Sequence, residues 1–344
     1  MVNKDVRNAT LINFAAVALM FGVLMLLRTT KVINNYYSGI LVVVCINVIL
    51  AVSLNLTTGC LGQIALGHAG FMSIGGYTAG LFYKAMQSAG LEGYHIFAAG
   101  LLLGGLLAAV SGVIIGIPAL RLRGDYLAII TLGFGEIIRV LIENLKFTGG
   151  AQGLRGIPRL STLPVAFIVC VISVTLLTTL MRSRHGRAIL AIRENDIASE
   201  ACGVHNTYYR TLAFTIAAFF AGIAGGLYAH YIGILGAQNF GFMRSVEIII
   251  IVVLGGLGSF TGSIVAAVLL TILPELLRGF ADYRMLAYSA ALIVLMIFKP
   301  SGLFGTYEFS LVRAIRYWMA VFRKERDPFA RFKRKARAAQ GKEC

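Results

Sequence analysis

Apolar, charge-poor stretches on the scale of a bilayer's hydrocarbon core recur along nearly the whole chain. They fall at Leu11 to Leu27, Tyr37 to Leu56, Gln63 to Tyr83, His95 to Ile117, Tyr126 to Ile142, Leu163 to Met181, Tyr208 to Ile232, Val246 to Leu277 and Arg284 to Phe298. A hydrocarbon core of ~30 Å takes about 20 apolar residues of helix to cross. Inside lipid every backbone N–H and C=O must find a partner within the protein, which leaves only helices and closed barrels. None of these segments alternates apolar and polar residues as a barrel strand would, and their Leu, Ile, Val, Ala and Gly suit helices. The fold class that follows is an all-α polytopic membrane protein of about eight transmembrane helices, with at least one Gly-broken, re-entrant half-helix segment. With 58% hydrophobic and 13% charged residues, the 344-residue chain cannot clothe itself in polar surface as a soluble domain with about 25% charge does.

Val246 to Leu277 is too long for one plain span, and Gly255-Gly256-Leu257-Gly258-Ser259-Phe260-Thr261-Gly262 stands at its middle. Each glycine costs a helix roughly 1 kcal/mol relative to alanine, so the chain is expected to enter as a half-helix, turn there and leave as a second helix. Parity supports this. The charged loop 182–207 and the basic C-terminal tail both belong in the cytoplasm by the positive-inside rule, so an even number of crossings must separate them. Counting backwards from the loop puts Arg121 and Arg123 inside, and Lys4 and Arg7 with them, so both termini are expected in the cytoplasm. Residues 1–306 read as one membrane domain. Residues 307–344 read as a basic tail whose Phe309, Val312, Ile315, Met319 and Phe322 form one face of an interfacial helix against anionic lipid.

The net charge of +16 would suggest nucleic acid in a soluble protein, but here the charge sits mostly in loops and tail, where membrane lipid explains it and no nucleic-acid partner is expected. Cys45, Cys60, Cys170, Cys202 and Cys344 show no CxxC and no histidine at ligand spacing, so no metal site is expected. Leu11 to Leu27 follows Lys4 and Arg7 as a signal peptide would, but Arg28-Thr29-Thr30-Lys31 is a poor cleavage site, and the segment reads as a retained span. No GxxxxGK[ST] phosphate loop is present, so no cofactor is expected on this chain.

A weak internal echo pairs Thr58-Gly59-Cys60-Leu61-Gly62-Gln63 with Leu254-Gly255-Gly256-Leu257-Gly258-Ser259, each followed by an apolar helix. Paired Gly-interrupted segments point to a transport site, although small residues also serve close helix packing. In the loop, Ala188, Ile189, Ile192, Ile197, Ala201 and Val204 recur at helical spacing opposite Arg187, Arg193, Glu194, Asp196 and Glu200, with Gly203 at the end. That pattern predicts an amphipathic helix suited to a partner's groove or to the lipid surface.

Four stretches together carry a family resemblance. Glu200-Ala201-Cys202-Gly203 resembles the coupling motif of permease subunits of ATP-binding-cassette importers. Gly62-Gln63-Ile64-Ala65-Leu66-Gly67-His68-Ala69, the run from Arg123-Gly124-Asp125-Tyr126 to Glu136-Ile137-Ile138-Arg139, and Thr148-Gly149-Gly150 through Gly153 are similar to LivM-type branched-chain amino acid permeases, as is the Gly255 to Gly262 break. The resemblance spans about residues 40 to 305. It implies a second permease subunit, two cytoplasmic ATPases that bind ATP and Mg, and an external substrate-binding protein, in a bacterial inner membrane. It also implies that Arg187, Arg193, Glu194, Asp196, Glu200, Ala201 and Gly203 couple the permease to an ATPase. The chain departs from the pattern in its long tail, since the family ends soon after Leu303-Phe304-Gly305.

A charge at mid-bilayer costs roughly 2.5 to 3.5 kcal/mol and is seldom idle. Glu136 pairs with Arg139 three residues on, and Glu247 near the start of the half-helix suits its positive end. Gln63, His68 and Tyr77 are expected to form a polar strip on one helix. With Glu136, Glu247, Gly255, Gly256 and Gly258 they are the candidates for the translocation pathway, and there are no candidate catalytic residues. Two rivals from other classes stand beside an ATP-driven importer of branched-chain amino acids or of urea and short amides. One is an ion-coupled transporter acting alone through Glu136 and His68; the other is an intramembrane enzyme, for which no paired catalytic residues are present.

Overall fold

The computed structural model describes residues 34–120, 122, 124–277 and 302–305, together with 19–26 and the single residues 28, 289, 293, 297 and 299. Most of the expected spans Leu11 to Leu27 and Arg284 to Phe298, and the amphipathic tail, lie outside the described residues. The chain divides into two compact units, one of residues 27–308 and one of 1–26 with 309–344, in which 19–26 are helical.

The larger unit is a helical bundle. In chain order its helices are α1 (Asn35–Asn55), α2 (His68–Ser88), α3 (Tyr94–Ala119), α4 (Asp125–Asn144), α5 (Leu163–Arg182), α6 (Arg184–Glu194), α7 (Asp196–Ala201), α8 (Asn206–Ile232), α9 (Phe242–Gly255) and α10 (Phe260–Leu276). Among the described residues five segments are long and apolar enough to cross a membrane: Asn35–Cys60, Tyr94–Ala119, Leu163–Arg182, Asn206–Ile232 and Ala237–Gly255. With 21 and 20 residues, α2 and α4 are long enough but more polar. The large exposed side chains of α3, α4 and α5, among them Ile114, Ile129 and Leu176, would cost a water-soluble protein dearly and suit lipid. This is a multi-pass membrane protein.

Its centre is α2, α3 and α8, packed through glycine. A Cβ built on Gly75 would lie 2.2 Å from Gly222 O, one on Gly225 1.9 Å from Met72 O, and one on Gly104 2.6 Å from Gly75 O. In lipid no hydrophobic force drives helices together, so close backbone approach through small residues supplies the packing. At one end of the bundle β1 (Leu154–Arg155) pairs antiparallel with β2 (Ile234–Leu235). The Thr148 to Gly153 motif folds against that pair, with Gly149 and Gly153 at φ of 86° and 76° where side chains are disfavoured.

Two boundaries differ from the sequence reading. The helix expected from Gln63 begins at His68, because residues 62–67 form no regular structure. The single amphipathic helix expected across the loop is two helices, broken at Asn195, whose Oδ1 accepts from Ile197 N and Ala198 N at 3.0 Å each and caps α7. The long glycine-broken segment turns at its glycines as expected, as a hairpin of α9 and α10. A Cβ on Gly255 would lie 2.6 Å from Gly262 C, and Ser259 Oγ caps α10 by accepting from Gly262 N at 3.0 Å.

Candidate functional site

The two glycine breaks that echo each other in sequence touch each other in the fold. After Asn55, α1 widens into a π-turn over Leu56–Cys60, a distortion that often marks functional positions. Asn55 is fully buried, and its amide bridges the breaks: Oδ1 accepts from Gly258 N and Nδ2 donates to Ser259 O, both at 2.9 Å. The backbones meet so closely that a Cβ on Gly59 would stand 2.3 Å from Gly258 N and 1.8 Å from Asn55 Oδ1. Gly256 and Gly258 turn with φ of 112° and 91°. The carbonyls that end α9 are satisfied by the family-like turn near the chain's far end, where Leu303 N donates to Leu254 O at 2.7 Å and Phe304 N to Gly255 O at 3.3 Å.

The expected coupling segment sits on this junction. α6 is held to the bundle by Ile189 and Ile192, both buried, and by Gly186, where a Cβ would stand 2.3 Å from Met181 O. That leaves Arg193 over the breaks: a Cβ on Gly62 would lie 3.2 Å from Arg193 Cγ, and one on Gly258 2.7 Å from Arg193 Nη1. Asp196 is ion-paired with Arg210 of α8, and its carbonyl accepts from Asn206 Nδ2 at 2.8 Å, so it anchors α7 inward. Arg187 Nη1 donates to Arg182 O at 3.3 Å. Glu194, Glu200 and Ala201 are exposed, and Gly203, at φ 83°, ends α7. The apolar face expected to dock is therefore divided: Ile189 and Ile192 serve the chain's own core, whereas Ile197 is 77% exposed.

The other expected pathway residues do not converge. Gln63 lies in the irregular stretch, its N donating to Thr57 O and its Oε1 buried without a hydrogen-bond partner. His68 opens α2 inside the bundle, its Nε2 2.9 Å from Ser53 Oγ, while Ala69 N donates to Ser245 Oγ of α9 at 3.2 Å. Nine residues on and about half a turn round the helix, Tyr77 donates to Leu235 O at 2.9 Å beside the β1–β2 pair. The polar strip thus splits to two sides of α2, with Gln63 off the helix. The carboxylate at the start of α9 is Glu136, not Glu247: Glu136 Oε1 accepts from Phe242 N at 2.8 Å, while Glu136 Oε2 and Glu143 flank Arg139 at 2.6 and 3.0 Å. Glu247 is 58% exposed at its side chain and pairs with Arg244 at 2.8 Å, and Arg244 reaches buried Asn47 of α1 at 2.7 Å. Among the described residues no group of three or more His, Cys, Asp or Glu could hold a metal ion.

Sequence reading missed Asn55, Asn195 and the contact of Arg193 with both breaks. Asn55 carried a usable signal, since an amide in the last turn of an apolar helix needs a partner.

Residues 36–299 match the family described as branched-chain amino acid transport system / permease component. The chain belongs to this permease family. The high-affinity branched-chain amino acid transport system permease protein LivM of Salmonella typhimurium is 37% identical over 297 residues, which are 75% of this chain and 67% of that protein. LivM of Escherichia coli K12 is 36% identical over the same shares. The high-affinity branched-chain amino acid transport system permease protein LivH of Escherichia coli K12 is 25% identical over 76% of this chain and 91% of its own length. No solved structure matches the chain. The permease's match begins at the start of α1 and takes in both breaks and the α6–α7 segment.

Proposed function

We propose that this permease is one membrane subunit of an ATP-driven importer that moves leucine, isoleucine and valine across a bacterial inner membrane by alternating access. Its partners are a LivH-like second permease, two cytoplasmic ATPases that bind ATP and Mg, an external binding protein and membrane lipid. The observation that supports the reading is that Arg193, at the end of α6 and just ahead of α7 with its Glu200-Ala201-Cys202-Gly203 motif, lies against the junction of the two glycine breaks. A force applied to this short segment from outside the bundle reaches the points where α1, α9 and α10 can bend. The end bearing α6 is then cytoplasmic, and both termini lie on that side. Ile197 and Glu200 face the ATPase, while the chain itself binds no nucleotide and catalyses no reaction.

The test is uptake of labelled leucine by proteoliposomes holding this chain with its second permease and ATPases, with binding protein outside. Uptake that needs ATP and every subunit is the expected result. Uptake by the chain alone under an ion gradient, without ATP, would overturn the importer reading in favour of a secondary transporter.

A further inference from the structure

We propose that Arg193 is a positioning residue acting within this chain, a wedge through which movement of α6 parts the two glycine breaks, and that Asn55 is the latch it acts on. Asn55 spends both polar atoms of its buried amide on the α9–α10 turn, donating to Ser259 O and accepting from Gly258 N. Any motion that parts α1 from that turn must break both bonds at once, so the latch has two defined states rather than a continuous range. The wedge is what reaches the latch from outside. The Arg193 stem lies along Gly62 and its guanidinium against Gly258, one residue from each side of the closed junction, and both glycines have positive φ. Glycine at these places leaves a bare backbone track on which the stem can slide, and a side chain at either would block it.

The helix that bears Arg193 is suited to deliver a movement. α6 is packed at its Gly186 end against α5 and at Ile189 and Ile192 against the bundle, and it breaks from α7 at Asn195. Tilting α7 and α6 therefore moves Arg193 relative to the breaks, and both breaks answer to one residue. This is a different role from touching a partner, which the exposed Ile197 and Glu200 are free to do.

The inference takes its driving force from the importer reading, and Cys60 offers a readout independent of the solute. Cys60 ends the π-turn at the first break and is 2% exposed. In the full complex, with Cys45, Cys170, Cys202 and Cys344 replaced, its alkylation by a membrane-permeant maleimide should quicken about tenfold when ATP is added. Arg193→Ala should abolish that response while the ATPases still co-purify, and Arg193→Lys, which keeps the stem, should restore part of it. Asn55→Leu should raise the rate without ATP. If Arg193→Ala instead releases the ATPases, Arg193 is an ordinary partner contact and the proposal is wrong; an ATP response surviving in Arg193→Ala refutes it equally. Arg193 is a surface side chain, so this arm holds even where Asn55→Leu does not assemble. A complex that exposes Cys60 on ATP but carries no leucine would remove the substrate assignment alone, whereas leucine uptake with an unresponsive Cys60 would remove the latch alone.

Discussion

The α2–α8 contact gives the sharpest forecast, because two glycines in spans meet opposite surroundings. At Gly225→Ala the new methyl would stand 1.9 Å from Met72 O, 2.8 Å from Met72 C and 2.9 Å from Gly76 N. Ordinary carbon contacts begin near 3.4 Å, so the helices must part by about 1.5 Å, and every obstructing atom is backbone that no rotamer change can move. Overpacking of this kind costs about 1–3 kcal/mol, and rigid backbone on both sides puts this site at the upper end. Alanine's better helix propensity returns about 1 kcal/mol, leaving a net loss of about 2 kcal/mol, or roughly 30-fold in the folded-to-unfolded ratio. Gly133 of α4 has nothing within 4 Å of its would-be Cβ, so Gly133→Ala should keep only the propensity gain. Graded heating of the detergent-solubilised permease, followed by the fraction that stays monodisperse, compares the two. Gly225→Ala should fail at lower temperature than the natural chain, and Gly133→Ala at the same or a higher one. Equal tolerance of both would refute the view that glycine here serves backbone approach.

Other substitutions probe the site directly. Glu136→Ala strips Phe242 N of its acceptor and Arg139 of one carboxylate, and should destabilise the protein by about 1–2 kcal/mol in the same heating assay, with Glu136→Gln milder because an acceptor remains. Asn195→Ala removes the cap of α7 at a cost of about 1 kcal/mol, and should speed proteolysis between α6 and α7 while lowering ATP-driven uptake. Ile197→Ser alters a side chain that is 77% exposed, so it should leave heat stability unchanged yet reduce ATPase co-purification.

The spans were legible because lipid imposes length and composition on every one of them, and no tertiary detail can relax that demand. The breaks were legible for a related reason, since glycine is costly in a helix unless something needs its bareness. What composition could not convey is direction. Ile189, Ile192 and Ile197 share one periodic pattern, yet the bend at Asn195 turns the first two into the bundle and the third out of it. Of the strip expected from Gln63, His68 and Tyr77, Gln63 is off the helix because Gly67, whose Cβ would meet Thr131 O at 2.2 Å, holds the chain irregular against α4 up to His68, while His68 and Tyr77 part because nine residues are about two and a half turns. Likewise Glu247 was the obvious carboxylate for the start of α9, but the group that caps it comes from α4, more than a hundred residues away.

The depth of the second break now bears on mechanism. Ala237–Gly255 has 19 residues and can cross a bilayer, and α10 has 17, so the α9–α10 turn need not lie half way through. Its contact with Arg193 ties it to the end of the bundle that carries α6 and α7. A turn buried at mid-membrane would be out of reach of a short surface helix. On the coupling proposed above, a small displacement of that helix would act on α1, α9 and α10 together, and the same closeness accounts for glycine at 59, 62 and 258, where a Cβ would crowd Gly258 N, Arg193 Cγ and Arg193 Nη1.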